Sequence, residues 1–140
     1  MKLNAPKPRP IGYPKSLITI GDHIRARRMD LRLLQEEVAE ALGITEACLG
    51  LWELGKGEAP RVKYMPKIIK FLGYVPFKMK SKTLGEKIKS YRLVNGMTHY
   101  DLAEVLKVNA STISAWENNE NIPKPLTLQK LEELVGKSSV

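Results

Sequence analysis

The feature that most constrains this chain is that it repeats itself. Residues 19–53, TIGDHIRARRMDLRLLQEEVAEALGITEACLGLWE, align without a gap on residues 83–117, TLGEKIKSYRLVNGMTHYDLAEVLKVNASTISAWE, at an offset of 64. Identities fall at Thr19/Thr83, Gly21/Gly85, Ile24/Ile88, Arg28/Arg92, Ala39/Ala103, Glu40/Glu104, Leu42/Leu106, Trp52/Trp116 and Glu53/Glu117. After one deletion the register continues, pairing Pro60 with Pro123, Lys67 with Lys130 and Gly73 with Gly136. A period of this kind marks a structural unit copied whole. The fold must therefore be buildable twice, each time from about 55 residues, which is small but viable for an autonomous helical domain.

Within each copy the apolar residues recur at helical spacing and never alternate as a strand would. In the first copy Ile20, Ile24 and Leu31 share a face, followed by Val38, Ala39 and Leu42, then Leu49 and Trp52, then Tyr64, Ile68 and Phe71. The second copy repeats this with Leu84, Ile88 and Tyr91, then Leu102, Ala103 and Leu106, then Ile113 and Trp116, then Leu128, Leu131 and Leu134. Thr98 with Asp101 reads as a near capping box, and Thr45 and Asn109 as caps of the third helix of their copies. Leu34 stands where the second copy has Thr98, so the first copy lacks that cap. The glycines and prolines of LGKGEAP and NNENIPKP stop the third helix and turn the chain into the fourth.

These boundaries give a basic Pro-rich arm at residues 1–16, most simply a disordered tail, a first unit at 17–73, a linker at 74–82, a second unit at 83–136 and a short tail at 137–140. The net charge of +8 is unevenly placed: the arm carries +4 and the linker +3, while the two units carry +1 and −1 and Lys137 in the tail adds the last +1. A polyanionic partner would be attracted through flexible flanks and local faces rather than through the bodies as a whole. A basic balance that serves only solubility is the alternative.

The remaining composition narrows the class. The single cysteine, Cys48, forms no internal disulfide, and no cysteine–histidine cluster exists to hold a metal. The N-terminal stretch MKLNAPKPRPIGYPKS lacks the apolar run of a signal peptide, and nothing approaches a membrane span, so the cytoplasm is the expected setting. His23 and His99 are too few for a catalytic or metal site, and the adjacent carboxylates Glu36/Glu37 and Glu132/Glu133 read as solvated helix faces. No phosphate loop or nucleophile motif is present. The expectation is a binding protein, not an enzyme, with no cofactor.

In each copy the second and third helices join through a short turn, with Ala39 or Ala103 mid-way along the second so that the third can cross closely. LLQEEVAEALGITEACLGLWELGKGEAP and MTHYDLAEVLKVNASTISAWENNENIP each resemble the helix-turn-helix of the Cro/C1 (XRE) family of bacterial and phage regulators. The resemblance covers residues 19–73 and 83–136. It implies an all-α chain of two tandem five-helix, lambda-repressor-like domains that bind double-stranded DNA, with the third helix in the major groove. Gln35 matches the family glutamine at the start of the second helix, and His99 replaces it in the second copy. Reader positions fall on Thr45, Glu46, Ala47 and Cys48, with Leu51 later, and on Asn109, Ala110, Ser111 and Thr112, with Ala115 later. The backbone near Leu54, Gly55 and Lys56, or Asn118, Asn119 and Glu120, resembles a phosphate clamp. Arg28 with Glu53 and Arg92 with Glu117 match a family salt bridge, a structural strut beside the DNA face, with a secondary contact of the arginine to phosphate as the alternative.

Chemistry separates the two copies. Good base readers carry paired donors and acceptors. The second copy offers Asn109, Ser111, Thr112, Asn118 and Asn119. The first offers Thr45 and Glu46, then Ala47, Cys48, Gly50 and Leu51, and Gly50 weakens its helix by about 1 kcal/mol relative to alanine. Glu46 suits a cytosine amino group and Ala47 a thymine methyl; otherwise the carboxylate repels phosphate, and Arg25, Arg27, Arg32, Arg61 and Lys63 must offset it. Lys7 and Arg9 of the arm are expected at phosphates or a minor groove. The linker reaches roughly 30 Å, close to the roughly 34 Å between half-sites on one face of DNA, so occupation of adjacent grooves is expected, and because the copies differ in reader residues the site is expected to be asymmetric. The alternative is that the first copy is a degenerate helix-turn-helix that contacts a protein partner or a second copy of the chain.

Overall fold

The computed structural model describes residues 12–79 and 81–137. Among the described residues there are eight α-helices and no strand. They are α1 (Ile20–Asp30), α2 (Gln35–Leu42), α3 (Glu46–Leu54), α4 (Met65–Leu72), α5 (Leu84–Val94), α6 (His99–Leu106), α7 (Ala110–Glu117) and α8 (Pro125–Lys137), with a 3-10 turn at Val62–Tyr64 before α4. Each repeat thus supplies four α-helices among the described residues, where the resemblance implies five. No described helix is long and apolar enough to cross a membrane.

Side chains at the helix starts satisfy the amides left over there. Thr19 caps α1: its hydroxyl accepts from Asp22 N–H at 3.0 Å and its own N–H donates to Asp22 Oδ2 at 2.9 Å. Thr83 with Glu86 and Thr98 with Asp101 form the same reciprocal box on α5 and α6. At α2, half of the box survives without the threonine, because Leu34 N–H still donates to Glu37 Oε1 at 2.8 Å. Of the two caps expected at the third helices, one forms as read and one does not. Thr45 Oγ1 accepts from Cys48 N–H at 3.1 Å, but Asn109, although at the N-cap, makes no side-chain cap bond. Its backbone carbonyl serves that turn instead, accepting from Thr112 N–H at 2.9 Å.

The helix ends repeat even where the residues do not. Three turns require a left-handed residue: Arg32, Gly43 and Gly55 in the first repeat, and Gly96, Lys107 and Asn119 in the second, all with φ between 57° and 73°. Each pair is separated by the repeat offset, and each uses glycine in one copy only. The bond that closes each turn is likewise duplicated, as in Ile44 N–H to Ala39 O and Val108 N–H to Ala103 O, both 3.0 Å.

The chain divides into two compact units between Ala59 and Pro60. In the first, α3 packs on α1 and α2 around fully buried Ile24, Val38, Leu42 and Leu49. In the second, α7 packs on α5 and α6, and Ile88, Leu102, Ala103, Leu106, Ile113, Trp116 and Leu131 form one core. Each fully buried Ile or Leu contributes roughly 1.5–3 kcal/mol. The second unit also includes α4, although the sequence repeat runs through residue 73. The physical reason is the packing of α4 on α5: a Cβ on Gly96 would lie 2.7 Å from Pro66 Cδ, so the turn after α5 is bare where α4 begins.

A glycine in α1 and its repeat mate in α5 set how closely the third helix approaches. A Cβ on Gly21 would fall 1.8 Å from Trp52 O, and one on Gly85 would fall 2.6 Å from both Trp116 O and Glu117 O. Two residues assigned to the arm meet α1. Tyr13 Oη donates to Asp30 Oδ2 at 3.2 Å, and Gly12 lies against the Arg25 guanidinium.

Candidate nucleic-acid interface

The contact between the first and third helices brings two charged groups together out of water. Arg28 Nε and Nη2 donate to Glu53 Oε2 and Oε1 at 2.7 and 2.9 Å, and Nη1 donates to Leu33 O at 3.1 Å. Arg92 does the same in the second repeat, to Glu117 Oε2 and Oε1 at 2.7 and 3.1 Å and to Met97 O at 3.1 Å. Glu53 and Arg92 are buried, so neither charge is tolerable without its partner. The bidentate geometry and the third bond to a turn carbonyl tie the first helix, the following turn and the end of the third helix into one frame.

The first residue of each second helix joins this frame. Gln35 Nε2 donates to Glu53 Oε1 at 3.0 Å, and His99 Nε2 lies 3.2 Å from Glu117 Oε1. This link was not readable from sequence. It spans 18 residues and depends on how the second helix crosses the third. The only available signal was that a polar residue opens both helices. The role of Gly21 and Gly85 was marked by their identity in the repeat, but not its reason.

On this frame the two third helices present different surfaces. In α3, Thr45, Glu46 and Ala47 are exposed, Cys48 is half-buried, and Leu51 and Leu54 are 49% and 60% exposed. Ala47, Leu51 and Leu54 follow helical spacing and share one face. At the matching positions of α7 and its end, Ser111 and Asn118 are exposed and Ala115 is half-buried. Asn109 and Asn119 are exposed as well, and Thr112 is half-buried. Ala110 instead packs against the core of its unit. Arg61 and Lys63 are exposed within the second compact unit, and the Lys63 ammonium stands 5.0 Å from the centre of the Tyr64 ring. Lys7 and Arg9 lie outside the described residues.

Two carboxyls are held below the ordinary aspartate value. At Asp22, burial raises it, but the N–H groups of Thr19 and Ile18, the Thr19 hydroxyl and nearby His23 outweigh that. At Asp101 the Thr98 N–H and then its hydroxyl lower it, against a smaller effect of burial. Both are capping residues. Among the described residues no group of three or more His, Cys, Asp or Glu side chains is placed to hold a metal.

Comparison with known families gives one result, found twice. A helix-turn-helix family model matches residues 24–78 and again residues 88–140, two spans that start one repeat offset apart. Neither curated proteins nor solved structures give a match.

Proposed function

Because the chain belongs to the Cro/C1-type helix-turn-helix family of DNA-binding regulators, in two tandem copies, we propose that it is a sequence-specific transcriptional regulator whose α7 reads the major groove. The observation that carries this reading is the contrast between two third helices on one frame. Only the second exposes Ser111, Asn118 and Asn119 where the first has Ala47, Leu54 and Gly55. Asn109, free of a capping bond, keeps its amide for a base edge, where asparagine pairs bidentately with adenine. Gln35, His99 and the exposed Arg61 and Lys63 serve phosphate, as do Lys7 and Arg9 of the arm. Thr45, Glu46, Ala47 and Thr112 complete the DNA-facing set. The functional bodies follow the repeat, 17–73 and 83–136, joined by residues 74–82, and the place of action is the cytoplasm, where DNA is accessible. The role is binding rather than catalysis.

Selection of bound fragments from random duplex DNA, followed by gel shifts with Asn109→Ala/Ser111→Ala, tests this. Loss of preference for the selected sequence with retained salt-sensitive binding is expected; an unchanged preference removes α7 as the reader. A second reading is supported by the exposure of Leu51 and Leu54, which suits a second copy of the chain better than phosphate. Sedimentation of wild type and Leu51→Glu tests it: association abolished by the substitution supports it, and a monomer at every concentration rejects it.

A further inference from the structure

Gln35 and His99 occupy the same place, bonded to the same kind of buried carboxylate, but they carry different numbers of hydrogens. An ionised carboxylate only accepts, so Gln35 Nε2 and His99 Nε2 are both the donors in their bonds of 3.0 and 3.2 Å to Glu53 and Glu117. The amide nitrogen of Gln35 has two hydrogens. One goes to Glu53 and the other is available to a further acceptor at every pH. A neutral imidazole has one. With that hydrogen committed to Glu117 through Nε2, Nδ1 of His99 carries only a lone pair, which repels a phosphate oxygen. Protonation adds a hydrogen at Nδ1 and makes it a charged donor while the Nε2 bond to Glu117 stays in place. The His99 side chain is 39% exposed, so that donor can be reached.

The ionic groups about the ring are Glu117 on α7 and Arg92 on α5, whose Nη2 holds the same Glu117 oxygen at 3.1 Å, with Asp101 further along the first turn of α6. A phosphate at Nδ1 would add a negative charge on the open side and draw the proton on.

Resting on the reading of the chain as a DNA-binding protein, we propose that His99 is a proton-gated phosphate contact, the titratable counterpart of the pH-indifferent contact at Gln35. DNA binding through the second repeat then takes up a proton. Affinity rises as pH falls through the range where imidazole becomes charged, from about 8 to about 5. The dependence on salt steepens by about one phosphate at the acid end.

The test uses the full chain and a fluorescently labelled duplex of mixed sequence, with binding followed by anisotropy at several salt concentrations from about pH 5.5 to about pH 8. Wild type is expected to bind about fivefold to tenfold more tightly at the acid end, as a gained charge-assisted bond implies. H99Q should flatten that profile and the acid-end gain in salt slope, leaving only what His23 contributes. Q35H should steepen both by giving the first repeat the same device. Each variant copies an arrangement the other repeat already holds, and thermal midpoints measured in parallel separate loss of folding from loss of the contact; if H99Q fails to fold, Q35H decides. An H99Q profile as steep as wild type, or a Q35H profile no steeper, overturns the proposal while leaving DNA binding intact. Absence of binding to any duplex at any pH overturns the reading beneath it as well.

Discussion

Gly21 and Trp52 meet so closely that a single methyl does not fit between them: a Cβ on Gly21 would lie 1.8 Å from the Trp52 carbonyl oxygen. The neighbour is backbone, which cannot rotate away, so Gly21→Ala must push α1 off α3. We expect a loss of about 3 kcal/mol, at the upper end of overpacking penalties. The same substitution at Gly50, with nothing within 4 Å of its Cβ, should stabilise by up to about 1 kcal/mol through helix propensity. Thermal unfolding of the two variants should shift in opposite directions, and a shift of the same sign in both would contradict the close approach.

The buried ion pairs respond to which partner is removed. Glu117→Gln leaves Arg92, buried at 5% exposure, with no full countercharge and should destabilise by about 3–5 kcal/mol. Arg92→Met with Glu117→Leu removes both charges and should recover most of that stability. Denaturant midpoints for the single and double variants measure the coupling; additive losses would show that the pair is not a unit.

The left-handed turns predict an exchange between repeats. Arg32 and Lys107 hold φ at 57°, where their repeat mates Gly96 and Gly43 sit without a Cβ penalty. Arg32→Gly and Lys107→Gly should each stabilise by roughly 1 kcal/mol, and Gly43→Lys should destabilise by about as much. Gly96→Arg is expected to lose considerably more, because Pro66 occupies the space its side chain needs. Equal costs at Gly43 and Gly96 would rule out the packing of α4 described above.

Acid should weaken the helix starts. Asp22 and Asp101 titrate below the ordinary aspartate value in the folded chain, so their contribution is complete above that value and is lost as pH falls through the lowered one. Asp22→Asn and Asp101→Asn should each lower stability near neutrality and flatten its decline as pH falls below the ordinary aspartate value. Unfolding curves recorded across that window by circular dichroism check this; a decline as steep as wild type in both variants would place the acid sensitivity elsewhere.

The repeat and the periodicity of Ile24, Leu42 and Leu49 with their mates were enough to read the helices, because burial on one face is a local pattern. Arg28 and Glu53 could be paired because the family resemblance implies that bridge, and the repeat keeps its separation of 25 at Arg92 and Glu117. Contacts that depend on helix crossing were not legible. The amide of Gln35 and the ring of His99 turn toward carboxylates 18 residues away, and Pro66 covers Gly96 through packing that no linear spacing encodes. Asn109 shows the opposite limit: a residue with strong capping preference sits at the cap and leaves its side chain unused there.

The three left-handed turns have a wider meaning. At each one glycine and a side-chain-bearing residue hold the same corner, so the path of the chain survives exchange of the residues that draw it. The frame is then a socket, and the exposed face of the third helix is an insert. Ser111 and Thr112 of α7, with Asn118 and Asn119 after it, can be written into residues 47, 48, 54 and 55 beside a corner that both copies already share, giving the chain one outward surface twice.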